Sequence, residues 1–198
     1  MSKSEFVGTC QICGRIQKLP KKRLSLHGYT VEWQMFTGTC PGSGHAPFEI
    51  SCGLIEDAIL QAKRQAQQLA AMRDDYLKPA TEPVGFVSVY LDYKEIEAKY
   101  GRFVRGKSGY RWIKGRIERR EPKHGQYFVV IDETDGREHY IYGRFNDTPL
   151  SVADHFRKNY SLHLQNEISN IERYIAWQED RIANWEPKEL TPVQEGSR

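Results

Sequence analysis

The chain has 198 residues, 39% hydrophobic and 28% charged, with a net charge of +3. That length suits one ordinary domain or two small ones and is enough to bury a core. A mean hydropathy of −0.67, with no apolar run near the roughly 18 residues of a membrane span, excludes a membrane-embedded protein. The opening MSKSEFVGTC lacks the apolar stretch of a secretory signal, so the expected setting is a reducing cytoplasm.

Residues 1–50 are rich in Gly, Cys, Thr and Pro, and YTVEWQMF within them reads as a hairpin-like strand pair. Three of the four cysteines lie here. Cys10 and Cys13, followed by Gly14, have the spacing of a zinc knuckle, in which two thiolates converge while the N–H groups of the turn support the sulfurs. Cys40 sits in GTCPGSGH, a turn that can present a third thiolate. Spacing leaves the fourth ligand open between His27, before Gly28, and His45, which makes a Cys-x4-His with Cys40. Cys52 is a further candidate, read as a core residue at the start of a helix. The flanking text is not a thioredoxin-like βαβ unit, which argues against a redox dithiol.

Residues 51–79 read as a long helix, with Ile55, Ile59, Ala62, Ala66, Leu69 and Tyr76 at four-and-three steps and Arg73 interrupting the stripe. KPATEPVG ends it. Residues 84–147 carry β character (VGFVSVYLDY, YRWIKGRIERR, QYFVVIDETDGREHYIYGRF), with a turn at Asp135-Gly136. They predict a small antiparallel sheet or barrel, with Asp132, Glu133 and Asp135 solvated around that turn. Thr148 as N-cap and Pro149 behind it open a C-terminal helix over 148–186. Its stripe is Leu164, Ile168, Ile171, Ile175, Ile182 and Trp185, with Gln178 as the polar exception. Residues 187–198 read as a flexible tail. The expected fold class is therefore α+β: a zinc-binding segment, a small antiparallel β-sheet or barrel, and two long helices packed antiparallel, a homodimer through the helical stripes being the alternative.

Charge is unevenly spread. Residues 99–123 hold ten Lys/Arg against Glu118 and Glu121, a local +8, whereas eight basic residues face thirteen acidic ones from Tyr127 onward. Arg102, Arg105, Lys107, Arg111, Trp112, Lys114 and Arg116 are candidate nucleic-acid contacts, cations for phosphates and an indole for stacking on unpaired bases. Lys18, Lys21, Lys22 and Arg23 form a second basic cluster. No phosphate-binding glycine loop, nucleophile elbow or zinc-hydrolase His-Glu-x-x-His occurs, so no enzyme is expected.

The pattern C-x2-C-G…H-G-Y…G-x-C-x-G-S-G…P resembles a short zinc-binding segment of uncharacterised phage and plasmid proteins. This resemblance covers about 45 residues and implies Cys10, Cys13, His27 and Cys40 as ligands of a structural Zn2+, in a bacterial host, with no activity attached. Gly115–Ile117 with Tyr127–Tyr140 is similar to a small β module of some plasmid relaxases, whose Tyr nucleophile and His triad are absent. Two functional expectations follow. One is a non-enzymatic nucleic-acid-binding accessory protein of a phage or plasmid; the other is a counter-defence protein that binds a host immune complex.

Overall fold

The computed structural model describes residues 4–28, 30–31, 35–36, 39–90, 110–123, 125–183 and 185–193. Along the chain run β1 (Phe6–Thr9), β2 (Ile16–Lys18), a short turn at Pro20–Lys22, β3 (Thr30–Val31), β4 (Met35–Phe36), α1 (Gly53–Leu77), β5 (Val84–Tyr90), β6 (Tyr110–Lys123), β7 (Gln126–Asp132), β8 (Glu138–Ile141), α2 (Pro149–Ala183) and β9 (Thr191–Pro192). The fold is α+β, as expected. It divides into two compact units, residues 1–67 with 169–198, and residues 68–168. Each long helix therefore contributes to both, a division that segment-by-segment reading along the chain does not reveal.

In the first unit β1 pairs with β2 on one side and β9 on the other, all antiparallel. Of the stretch 187–198, expected as a flexible tail, residues 187–193 are tied down here, and 194–198 lie outside the described residues. Lys188 N–H donates to Glu49 O at 2.8 Å and Val193 N–H to Glu5 O at 2.9 Å. The reason is that β1 has an open edge, whose unpaired backbone groups β9 satisfies. The YTVEWQMF hairpin is present as β3 paired with β4. Ile55, Ile59 and Ala62 of α1 close on Ile175 of α2, with Ile171, Ile182 and Cys52 packed around them. Because Ile59 is only 7% exposed, Ile59→Ala is expected to cost about 2 to 4 kcal/mol in chemical denaturation. A cost below about 0.5 kcal/mol would mean that the stripe is not buried.

The second unit is built on one antiparallel sheet in the order β5-β6-β7-β8. It is an open sheet, not the barrel allowed for above. Among the described residues β5 and β8 do not pair with each other, and Val152 and Ala153 of α2 fill the interior beside Val87, Ile113, Phe128, Val130 and Ile141. A helix thus covers what a closing strand would have covered. Here α1 and α2 run in opposite directions: Arg73 meets Gln165, Tyr76 meets Tyr160 at 5.2 Å between ring centroids, and Ala80 N–H reaches Asp154. The start of α2 is capped as its sequence implies, with Ser151 N–H donating to Thr148 Oγ1 at 3.1 Å and Thr148 N–H to Ser151 Oγ at 3.0 Å.

The β7–β8 turn lies at Asp135-Gly136, with Gly136 at φ +70°, a conformation that glycine adopts without strain. One expectation about this turn fails: Asp132 is buried, 2% exposed. Its carboxylate accepts from Arg111 Nη2 at 3.1 Å and from Thr134 N–H at 2.8 Å. An acidic residue at the last position of a strand was read as solvated, but the strand's alternation points it inward, where Arg111 compensates its charge.

Candidate metal centre

The candidate metal-binding side chains are placed by two turns of the first unit. Directly after β1, Cys10 N–H donates to Arg15 O at 2.8 Å and Gly14 N–H to Cys10 O at 3.0 Å, closing a knuckle that puts Cys10 and Cys13 on one side. The second turn is closed by Ser43 N–H to Cys40 O at 2.9 Å, and it is laced to residues 24–27 by Cys40 N–H to His27 O at 2.7 Å and Leu24 N–H to His45 O at 3.0 Å. The turns come very close. A Cβ on Gly42 would lie 2.3 Å from Cys10 Sγ, so only glycine permits this approach.

The donor atoms of Cys10, Cys13, His27 and Cys40 all lie within 4.8 Å of one another, and these four could hold a metal ion. Cys10 Sγ and Cys40 Sγ are 3.8 Å apart; Cys13 Sγ and His27 Nε2 are 3.5 Å apart. Zinc bonds of about 2.3 Å to sulfur and 2.0–2.1 Å to nitrogen give tetrahedral edges of about 3.8 Å between sulfurs and about 3.5 Å between sulfur and nitrogen. The observed separations match those edges and are far too long for a disulfide. The cysteines are free.

The surrounding shell is built as a metal site requires. His27 Nδ1 lies 2.8 Å from Ser25 O and 3.1 Å from Ser43 Oγ. A proton on Nδ1, donated to the Ser25 carbonyl, leaves the Nε2 lone pair for the metal. Burial pushes the Cys40 thiol up to about 12, against a smaller opposing pull from the Gly42 N–H, and burial raises Cys10 as well. Such thiols ionise only if a cation arrives with them, which is what a divalent metal does. A tetrahedral metal held by all four donors would have no position left for water or substrate.

Two helices grip the knuckle. Gln11, between the paired cysteines and 1% exposed, accepts from Leu54 N–H in the first turn of α1 at 3.0 Å and donates to Ala46 O at 2.8 Å. From α2, Gln178 Nε2 donates to Ile12 O at 3.0 Å, and Arg181 donates to Gln11 O at 2.6 Å and Cys10 O at 3.1 Å. The Arg181 guanidinium lies between two rings, 4.4 Å from Phe48 and 4.6 Å from Trp177. Spacing rules in the sequence select ligands and say nothing of these contacts. The one available signal was Gln178, a polar residue in an apolar stripe.

His45 lies outside the donor cluster and lines a neighbouring groove. Cys52 packs beside Ile55 and Ile59. Of the candidate nucleic-acid contacts, Arg102, Arg105 and Lys107 fall outside the described residues. The others are committed to neighbours: Arg111 to Asp132 and Asp135, Lys114 to Glu133 at 3.0 Å, and Arg116 to Glu118. Trp112 stacks on His163 at 5.2 Å and meets Tyr160 edge-on. The structure therefore gathers the four metal-type residues into one site, while Lys114 and Arg116 stay at the surface beside their carboxylate partners. Comparison of the chain with protein-family models, curated proteins and solved structures finds no match, so the functional reading rests on this geometry.

Proposed function

We propose that the chain is a non-enzymatic, zinc-containing nucleic-acid-binding accessory protein. The closed Cys3His donor set is the observation that carries it. A metal with no open coordination position contributes folding and not reaction, which leaves binding as the role, and zinc suits three thiolates and one imidazole in tetrahedral spacing. The nucleic-acid assignment is supported by cation density: Lys99, Arg102, Arg105 and Lys107 lie in a stretch without an acidic residue, and Lys18, Lys21, Lys22 and Arg23 lie in the metal-binding segment. The phage or plasmid setting comes from the resemblance of that segment alone.

Binding to random-sequence single-stranded DNA and RNA tests this reading. With about four phosphate contacts to a single strand, affinity is expected to fall by about fiftyfold between 50 and 200 mM salt. No binding at 50 mM, or binding indifferent to salt, would count against it. The second reading, a counter-defence protein that engages a host protein complex, is favoured by the ion pairing along β6. An apolar groove of about 1080 Å³ beside the knuckle, lined in part by Ile12, Leu54, Ile171, Tyr174 and Trp177, favours it too. Capture of a host complex from nuclease-treated extract, with no nucleic-acid binding, would select it.

A further inference from the structure

The turn between β2 and the rest of the metal-binding segment has an unusual sequence for its shape. Arg23 N–H donates to Pro20 O at 3.2 Å, and both central residues have positive φ: Lys21 at φ 54°, ψ 36° and Lys22 at φ 59°. Positive φ at both positions is the arrangement of a type I′ turn, which strongly prefers Asn, Asp or Gly there because side chains with a bulky Cβ are strained. Two consecutive lysines occupy it instead. The turn is also clamped at its base. Leu19 N–H donates to Phe6 O at 3.0 Å, Ser25 N–H to Lys18 O at 2.9 Å and Leu24 N–H to His45 O at 3.0 Å. Leu19 and Leu24, each 2% exposed, share a core with Cys10 and Cys40. The loop is therefore anchored to the core that holds Cys10 and Cys40, and its tip carries two lysines at strained positions.

Lys18, Lys21, Lys22 and Arg23 are all exposed. Among the described residues none of them has an ion pair, and the Arg23 guanidinium donates one hydrogen bond, to Gly44 O at 3.4 Å. Four cations of β6, Arg111, Lys114, Arg116 and Arg120, pair with carboxylates; these do not. Lysine is depleted at protein–protein interfaces, where aromatic and arginine anchors carry the energy, and it suits phosphate as an unhindered point charge.

We propose that the Pro20–Arg23 turn, with Lys18, is the principal phosphate-contact surface of the protein, placing nucleic-acid backbone against the metal-binding segment and not along β6. The proposal rests on the nucleic-acid reading above. The turn shape supplies a test in which folding and binding separate. Lys21→Asn with Lys22→Gly installs the residues that a type I′ turn prefers, so this zinc-loaded variant is expected to keep its metal and to be at least as stable as wild type. It is nevertheless expected to bind single-stranded DNA at least tenfold more weakly at 50 mM salt, with the slope of log K against log salt shallower by about 1.4. A second variant, Lys18→Gln with Arg23→Gln, leaves the two positive-φ positions untouched and is expected to lose binding likewise.

Wild-type affinity and salt slope in both variants would overturn the assignment while leaving the nucleic-acid reading intact. So would loss confined to Lys114→Gln with Arg116→Gln, or to Arg102→Gln with Arg105→Gln. Failure of the wild-type protein to bind any nucleic acid would overturn both. Equally tight binding to poly-glutamate, lost in the same variants, would assign the turn to an acidic protein surface instead.

Discussion

Cys40→Ser is expected to yield protein without metal and with its first unit unfolded. Cys40 is 1% exposed and 3.8 Å from Cys10 Sγ, so a hydroxyl there sits among sulfurs with one donor missing. Structural zinc sites contribute about 10 to 16 kcal/mol of apparent binding free energy, comparable with the roughly 5 to 15 kcal/mol that a whole domain has in reserve. Loss of one ligand therefore removes enough to unfold what the metal holds. Cys10→Ser, Cys13→Ser and His27→Ala should behave alike, because each contributes one donor to the cluster, whereas His45→Ala should keep about one zinc per chain. Metal analysis of protein purified without chelator, paired with amide exchange, is the measurement. Protection should vanish over residues 1–67 and 169–198 and persist around Phe128 and Val130, each 0% exposed in the separate core of the sheet. Full zinc in Cys40→Ser, or metal lost from His45→Ala and kept by His27→Ala, would show that the ligand set is wrong.

What was legible in the sequence was whatever has a short period or a fixed local spacing. The four-and-three steps of Ile55, Ile59 and Ala62 report one helix face because side chains recur every 3.6 residues. Asp135-Gly136 reports a turn because glycine takes φ +70° there, and Cys10-x-x-Cys13 reports a knuckle because two thiolates at that spacing converge. Closure of the sheet was not legible. Whether β5 meets β8 depends on whether α2 fills the interior first, a competition between elements far apart in sequence. Asp132 was misjudged for a related reason: its partner Arg111 lies on the neighbouring strand, and neither residue alone signals that the pair is buried.

The boundary between the two units was hidden as well, since it crosses the middle of both long helices at residues 67/68 and 168/169, where nothing in composition changes. The fourth ligand shows the limit most clearly. His27 and His45 are equivalent on spacing, and what separates them is the pair of hydrogen bonds that turns the His27 ring so that Nε2 faces Cys13. Those bonds come from Ser25 O and Ser43 Oγ, the latter sixteen residues away in sequence.

Arg181 is expected to matter to the metal nearly as much as a ligand does. Three thiolates and one imidazole around a divalent ion leave the centre with a formal charge of −1, in a site where burial already raises Cys10 and Cys40. The nearby guanidinium supplies the opposite charge, and the thiolates favour its charged form against the desolvation that lowers it. Arg181→Met keeps the contact with Phe48 and Trp177 but removes the charge and the guanidinium's hydrogen bonds to Gln11 O, Cys10 O and Gln178 Oε1. A stability loss of about 3 to 5 kcal/mol is expected, with about 10- to 100-fold weaker metal binding.

The pH dependence separates charge from packing, and its sign is fixed by which state holds the protons. In metal-free protein Cys40 is pushed up to about 12 from 9.0; burial thus favours the folded thiol below pH 9, and that contribution fades as pH rises through the folded value. Metal reverses this. A bound metal would hold thiolates, so protons compete as pH falls and the metal is expected to be released on acidification. Without the Arg181 charge the thiolates are easier to protonate, and the release midpoint should move to higher pH. With three protons taken up per metal released, a 10- to 100-fold affinity loss corresponds to about 0.3 to 0.7 pH units. Arg181→Lys keeps the charge without the two-pronged fork, so it should restore most of the midpoint and little of the stability. A release midpoint identical in Arg181→Met and wild type would reduce Arg181 to a packing residue.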